Sequence, residues 1–201
     1  MPRATAASTR DRILDVTADL MRTGGLTAVT TREIARAAGL TEAALYRHFK
    51  NKEDLLTSAV AERSPVFVGI LNDLPQQVGQ ATVAENLRRV AEAAVPFYRQ
   101  ALPMLSAILG DPNLRARHRE WASETGRGPQ RANTPLSAYL RGERERARIS
   151  ANFDTDAAAA LLLGACLQRA LFDEFYGRLF DGQAIAEYAA ALVETLLSPA
   201  E

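Results

Sequence analysis

Apolar residues recur every three to four positions through most of the chain, which is the period of helices with one buried face. Ile13, Val16 and Leu20, with Leu14 and Met21 beside them, mark such a face on a first helix. Ser8 or Thr9 caps it, and it runs to about Arg22. Gly24-Gly25 stops it, because glycine accepts the left-handed turn that ends helices. Residues 1–8 before it read as a disordered arm. A short second helix starts at Thr30, where Thr30-Thr31-Arg32-Glu33 fits a capping box. It ends at Gly39, and Ile34, Ala35 and Ala38 face its core. Thr41 caps a third helix from Glu42 to about Phe49, with Leu45 and Phe49 four apart on the inner side. Asn51 caps a fourth, with Asp54 at its third position.

The stripe of the fourth helix continues through Leu56, Val60, Phe67, Leu71 and Leu74, but Pro65 interrupts it. Either the helix kinks there, or a new one starts with Ser64 as cap and Pro65 in its first turn. Further helices are expected near residues 82–101, 103–109, 112–124 and 134–147. Gly126, Gly128, Pro129 and Pro135 put a loop between residues 123 and 135. Asp154 or Thr155 caps a helix reaching about Tyr176, and residues 183–197 form the last. No run rich in Val, Ile and Thr alternates as a strand does, so the expected fold class is all-α.

With 47% apolar residues, 201 positions suffice for one sizeable core, or for a small head joined to a larger body. The formal net charge of zero points to no polyanion partner, but the charge is unevenly placed. Residues 1–52 hold nine Lys and Arg against five Asp and Glu, while the remainder holds 15 against 19. The basic excess therefore sits at the N-terminal end. Cys166 is the only cysteine, which excludes an intrachain disulfide and suits a reducing cytoplasm. Residues 1–12 lack the apolar stretch of a signal peptide. Ala157 to Leu171 comes nearest to a membrane span, but it is short and contains Arg169, so no membrane partner is expected.

Two short helices joined at Ala38-Gly39-Leu40 read as a helix-turn-helix, locked by Ala35, Leu40 and Leu45. Its second helix then presents Glu42, Ala43, Tyr46 and Arg47 to a major groove. The segment TTREIARAAGLTEAALYRHFKNKEDLL, residues 30–56, resembles the DNA-binding signature of the TetR/AcrR family of transcription regulators. ILDVTADLM and GGLTAVT before it are similar to that family's first helix and the loop after it, so the resemblance covers about a quarter of the chain. It implies that Thr31 and Arg32 contact backbone or flanking bases, and that Thr41, Tyr46, His48 and Lys52 hold phosphates. Lys50 is a weaker phosphate candidate. Glu42, Ala43, Ala44 and Arg47 occupy the groove-facing positions. Arg47 is the candidate for reading guanine; Glu42 either accepts from cytosine N4 or pairs with a nearby basic residue.

The resemblance further implies a division into a DNA-binding head, residues 1–54, and a helical effector-binding and dimerisation domain, residues 55–201. The implied partners are double-stranded palindromic operator DNA, a second copy of the chain, and a small apolar or aromatic effector, with repression as the expected sign. Helix 154–176 is apolar nearly all round, and with the last helix it would build a four-helix dimer interface through Leu162, Cys166, Phe172, Tyr188, Leu192 and Leu196. Phe67, Tyr98, Met104, Trp121 and Tyr139 are the candidates for lining an effector pocket, although each also suits ordinary core. His118 in LRARHREW reads as part of a solvated face, and so does the alternating run Arg141-Gly142-Glu143-Arg144-Glu145-Arg146. With two distant histidines no metal cluster is expected, and neither a cofactor nor catalysis: no nucleophile elbow, phosphate loop or Cys–His arrangement is present.

Overall fold

A computed structural model of the chain describes residues 8–24, 29–62, 65–125, 132–176 and 184–198. The expectations for the N-terminal arm, Gly25, the Ser64 cap, the centre of the 123–135 loop, Gln183 and the side chain of Val60 fall outside the described residues. Ten α-helices and one 3-10 turn, with no strand, make up the regular structure of the described residues. Packing divides the chain into two compact units, Met1–Pro65 with Pro103–Thr125, and Val66–Leu102 with Gly126–Glu201.

The first unit holds α1 (Thr9–Gly24), α2 (Thr31–Ala37), α3 (Glu42–Leu45), α4 (Lys52–Glu62) and α7 (Pro112–Thr125). Ser8 caps α1 by accepting from the Asp11 amide at 3.1 Å. Ile13, Leu14, Ala18 and Met21 form its buried stripe. Thr30 caps α2 in a complete capping box with Glu33. Two hydrogen bonds from the Glu33 carboxylate's neighbour Thr30, first its backbone amide and then its hydroxyl, hold that carboxyl below the usual carboxylate range. Gly39 has φ of +67°, the left-handed turn that the sequence asked of it. The Leu40 amide closes the turn on the Ala35 carbonyl at 2.8 Å. α4 packs along α1 and buries Leu55, Leu56 and Ala59. Residue 54, where the sequence divides head from body, lies within α4.

Three expectations for this unit change. α3 stops at Leu45 instead of reaching Phe49; the chain turns through residues 46–48, with the His48 and Phe49 amides both donating to the Leu45 carbonyl. The Thr41 side chain makes no capping hydrogen bond. His118 is not on a solvated face: it is half-buried and stacks on Trp121, with ring centroids 5.5 Å apart.

The second unit contains most of α5 (Pro65–Asp73), a 3-10 turn (Leu74–Gln77), the first part of α6 (Val83–Gly110), α8 (Asn133–Glu145), α9 (Thr155–Tyr176) and α10 (Ile185–Leu197). Pro65 starts a separate helix, where its missing amide is no loss. α6 instead runs unbroken through Pro96 and Pro103, where a break after residue 101 was expected. An interior proline forfeits one backbone bond, and the apolar stripe on both sides, from Leu87 and Val90 to Met104 and Ile108, outweighs it.

The run from Arg141 to Arg146 is likewise not simply solvated. Glu143 is 0% exposed. It accepts from the Gly79 amide at 2.9 Å and pairs with Arg148 at 3.2 Å. Beside it Asn86 donates to the Tyr139 hydroxyl at 3.0 Å and to the Gln80 carbonyl at 3.1 Å. These bonds clasp the loop before α6 onto α8. α9 is long enough, with a mean hydropathy of 1.2, to cross a membrane by length and composition alone. Its apolar residues Ala158, Ala159, Leu162, Leu163, Cys166 and Ala170 are buried in the unit's core, and the buried pair Arg169–Asp173 at 3.0 Å lies near its end.

Candidate DNA-binding surface

The head's exposed face follows from its buried one. Ile34, Ala35 and Ala38 of the α2 segment, and Leu45 and Phe49 around α3, are buried together. With those side chains turned inward, helical spacing leaves Glu42, Ala43, Tyr46 and Arg47 outward. All four are exposed, Tyr46 by 50%, and Ala44 is half-buried. Arg32, Thr41, His48 and Lys50 are also exposed, while Thr31 and Lys52 are half-buried. The sequence-derived DNA residues thus share one short stretch of surface along α2, α3 and the start of α4. Thr31 and Glu42 are paired: the Thr31 hydroxyl donates to the Glu42 carboxylate. Glu42 therefore partners a hydroxyl on α2, not the basic residue considered from the sequence.

Several positioning contacts carry no local sequence signal. Arg10 of α1 makes a two-pronged ion pair with Glu62 at the end of α4, at 2.5 and 2.7 Å. Its guanidinium also lies 5.1 Å from the centre of the Phe49 ring, just after the recognition helix. The hydrogen bond and charge of Glu62 raise the Arg10 pKa. At the start of α4, the Asp54 amide donates to Asn51 at 2.7 Å, and Asp54 accepts from the Lys50 amide at 3.0 Å. The Trp121 indole N–H donates to Asp54 at 3.3 Å, so α7 braces the turn that carries Lys52. Arg117 of α7 adds an ion pair to the buried Glu53 at 3.0 Å. Only Asn51 as the cap of α4 and Asp54 at its third position are legible in the sequence; partners 52 to 67 positions away leave no periodic trace.

The five effector candidates do not come together in one unit. Met104 and Trp121 belong to the first unit, and Phe67, Tyr98 and Tyr139 to the second. Met104 lines a cavity of about 750 Å³ with Leu56, Thr57, Ile108, Leu114 and Arg117. Trp121 is buried in its hydrogen bond to Asp54, and Tyr139 is fully buried in the clasp with Asn86. Phe67 packs with its ring tilted against those of Phe97 and Tyr98, at centroid distances of 4.6 and 6.1 Å. Burial pushes the Tyr98 hydroxyl up to about 12.

The interface candidates divide by face. Leu162 and Cys166 are 0% exposed within one protomer, so they are core and not contact residues. The outer side of α9 instead presents Leu161 at 63% exposure, Phe175 at 74% and Tyr176 at 63%. Leu192 and Leu196 are half-buried against the unit's core, and the half-buried Phe172 meets Tyr176 edge-on at 6.1 Å. Tyr188 is half-buried too, with its hydroxyl donating to the Ala165 carbonyl at 2.9 Å.

Comparison with known proteins places the same segment. Residues 13–59 match the family model described as bacterial regulatory proteins, tetR family. The HTH-type transcriptional regulator AcrR of Shigella flexneri is 35% identical over 101 residues, 42% of this chain and 46% of AcrR; the chain thus spans under half of that relative. The nucleoid occlusion factor SlmA of Vibrio atlanticus is 27% identical over 156 residues, 77% of this chain and 78% of SlmA. A crystal structure of a TetR-family transcriptional regulator from Mesorhizobium loti superposes with a TM-score of 0.70 at 20% identity. That superposition covers 97% of this chain and 98% of the other, and it shows a shared fold.

Proposed function

Since this chain belongs to the TetR family of bacterial regulatory proteins through residues 13–59, we propose that it is a cytoplasmic, homodimeric repressor that binds a palindromic operator and leaves it when a small apolar or aromatic effector binds. The observation that carries the reading is the exposed row formed by Glu42 and Ala43 on α3 and by Tyr46 and Arg47 in the turn just after it, locked from behind by Ile34, Ala35, Leu45 and Phe49. Two alanines at positions 43 and 44 let the helix backbone approach base edges. Around it Arg32, Thr41, His48 and Lys52 supply hydroxyl, imidazole and cationic donors for phosphates. Functionally, residues 1–54 form the DNA-binding part and residues 55–201 the effector and dimerisation part.

Dimerisation follows from the geometry of reading two half-sites, which lie about 34–36 Å apart on one face of B-DNA. The exposed apolar residues Leu161 and Phe175 on α9, with Leu192 and Leu196 on α10, are the surface proposed for it. Release is a population shift: an effector that binds better to one spacing of the heads depletes the other. Selection of bound sequences from random DNA by the full chain tests the reading. A palindrome with half-sites about one helical turn apart is the expected result, and sequence-blind coating would reject it.

A second reading has its own support. The similarity to SlmA, named as a nucleoid occlusion factor, runs over 77% of this chain. The aromatic effector candidates, moreover, are distributed over two cores. On that reading the chain binds specific DNA sites without a small effector. A lipophilic ligand library separates the two: a compound that releases the selected DNA supports the repressor, and a library that releases none supports the alternative.

A further inference from the structure

The hydrogen bond from Thr31 to Glu42 joins two side chains that each look, taken singly, like an independent DNA contact. Thr31 opens α2 and Glu42 opens α3, eleven positions on, so the bond spans the turn at Gly39 and ties the two helices at their outer ends. Glu42 serves no local capping role that would account for its orientation, and the Thr41 side chain before it makes no cap bond either. A hydroxyl carries one proton. While that proton lies on Glu42, Thr31 has none to give a phosphate, whose oxygens only accept. A carboxylate likewise only accepts, and the Coulomb repulsion of phosphates keeps it off the DNA backbone. In a major groove it is matched only by the amino groups of cytosine N4 or adenine N6; guanine O6 and N7 and thymine O4 present lone pairs against it.

We infer that Thr31 and Glu42 form one specificity-determining unit, in which the Thr31 hydroxyl orients the Glu42 carboxylate and that carboxylate admits cytosine or adenine and rejects guanine or thymine at the base it faces. The inference rests on the DNA-binding reading above. It moves Thr31 from the phosphate contacts to the positioning residues. It also gives the recognition helix two opposite readers: Arg47 for guanine acceptors and Glu42 for amino donors.

The test is the binding of the full chain, and of T31V, T31S, E42A and the T31V/E42A double variant, to the sequence selected from random DNA and to each of its single-base changes. E42A is expected to lose about tenfold or more of its discrimination at one position per half-site, and to bind unrelated DNA more tightly. T31V is expected to lose about three- to tenfold at that same position, T31S to keep the preference, and the double variant to match E42A alone. Circular dichroism checks that each variant is folded, so that T31S and E42A decide the matter even if T31V is not. A T31V variant that weakens all sequences alike, or effects of T31V and E42A that simply add, would overturn the unit. A full chain that selects no sequence would instead overturn the operator reading itself, and the unit with it.

Discussion

Arg47 and Lys52 share one surface but differ in what their side chains can report. Arg47 is exposed in the turn just after α3, and its planar fork can pair with guanine O6 and N7. Lys52 begins α4, and on the proposed function its ammonium would meet phosphate as a point charge. Arg47→Ala should therefore relax preference at one base by about 1–3 kcal/mol. Lys52→Ala should weaken all sequences alike and lower the salt slope by about one. Titrations at several salt concentrations against matched and mismatched sites distinguish the two, and identical profiles would refute the assignment. Cys166 is a different case. Burial pushes its thiol up to about 12, and its sulfur faces the Ala91 carbonyl at 3.8 Å. In the folded protein at neutral pH it should resist thiol reagents and react only after unfolding; fast labelling of the native chain would disprove this.

Several helices carry carboxylates that accept backbone amides at their N-terminal ends. Thr30 with Glu33, Thr82 with Glu85, and Asp111 with the amides of Leu114 and Asn113 are three N-terminal carboxylate devices. Backbone hydrogen bonds are the first cause of the lowered pKa of all three carboxyls. A folded pKa below the unfolded one contributes stability that is complete above the unfolded carboxylate range and lost as pH falls through the lower folded value. Thermal stability should therefore hold from neutral pH down to about 5 and decline below about 4. The Glu85→Gln variant should show a shallower decline, and an unchanged acid slope would exclude the cap as a cause. Elsewhere an element depends on one buried carboxylate. Glu143→Ala leaves the Gly79 amide without its acceptor and Arg148 without its ion pair. A loss of about 1–3 kcal/mol in denaturant unfolding is expected. Within the same turn, a Cβ on Gly142 would sit 2.9 Å from a Val78 methyl carbon, which explains a glycine inside α8.

The proposed dimer belongs to the assembled fold, since its interface would depend on which side of α9 the chain's own core consumes. Leu162 and Cys166 are spent inside the protomer, whereas Leu161 and Phe175 remain outside. Leu161→Glu should shift the chain from dimer to monomer in sedimentation experiments. Affinity for a full palindrome should fall far more than affinity for a half-site. A variant that stays dimeric at low micromolar concentration would place the interface elsewhere. The same logic of occupied faces applies to Trp121, which sits in the head's packing unit and hydrogen-bonds Asp54. Its fluorescence is positioned to report on the start of α4.

Local chemistry in the sequence was enough for the all-helical class, the capping box at Thr30, the left-handed turn at Gly39 and the exposed row from Glu42 to Arg47. These are set by interactions within four residues, or by a period of 3.6, and both are printed in the order of side chains. Tertiary packing alone decided that α6 passes through Pro103 and that Glu143 is buried. It alone decided that Thr31 meets Glu42, Arg10 meets Glu62, and Leu161 rather than Leu162 faces outward. Each of these depends on a partner brought in from another helix, and a helix apolar on several sides does not itself specify which side that partner will cover.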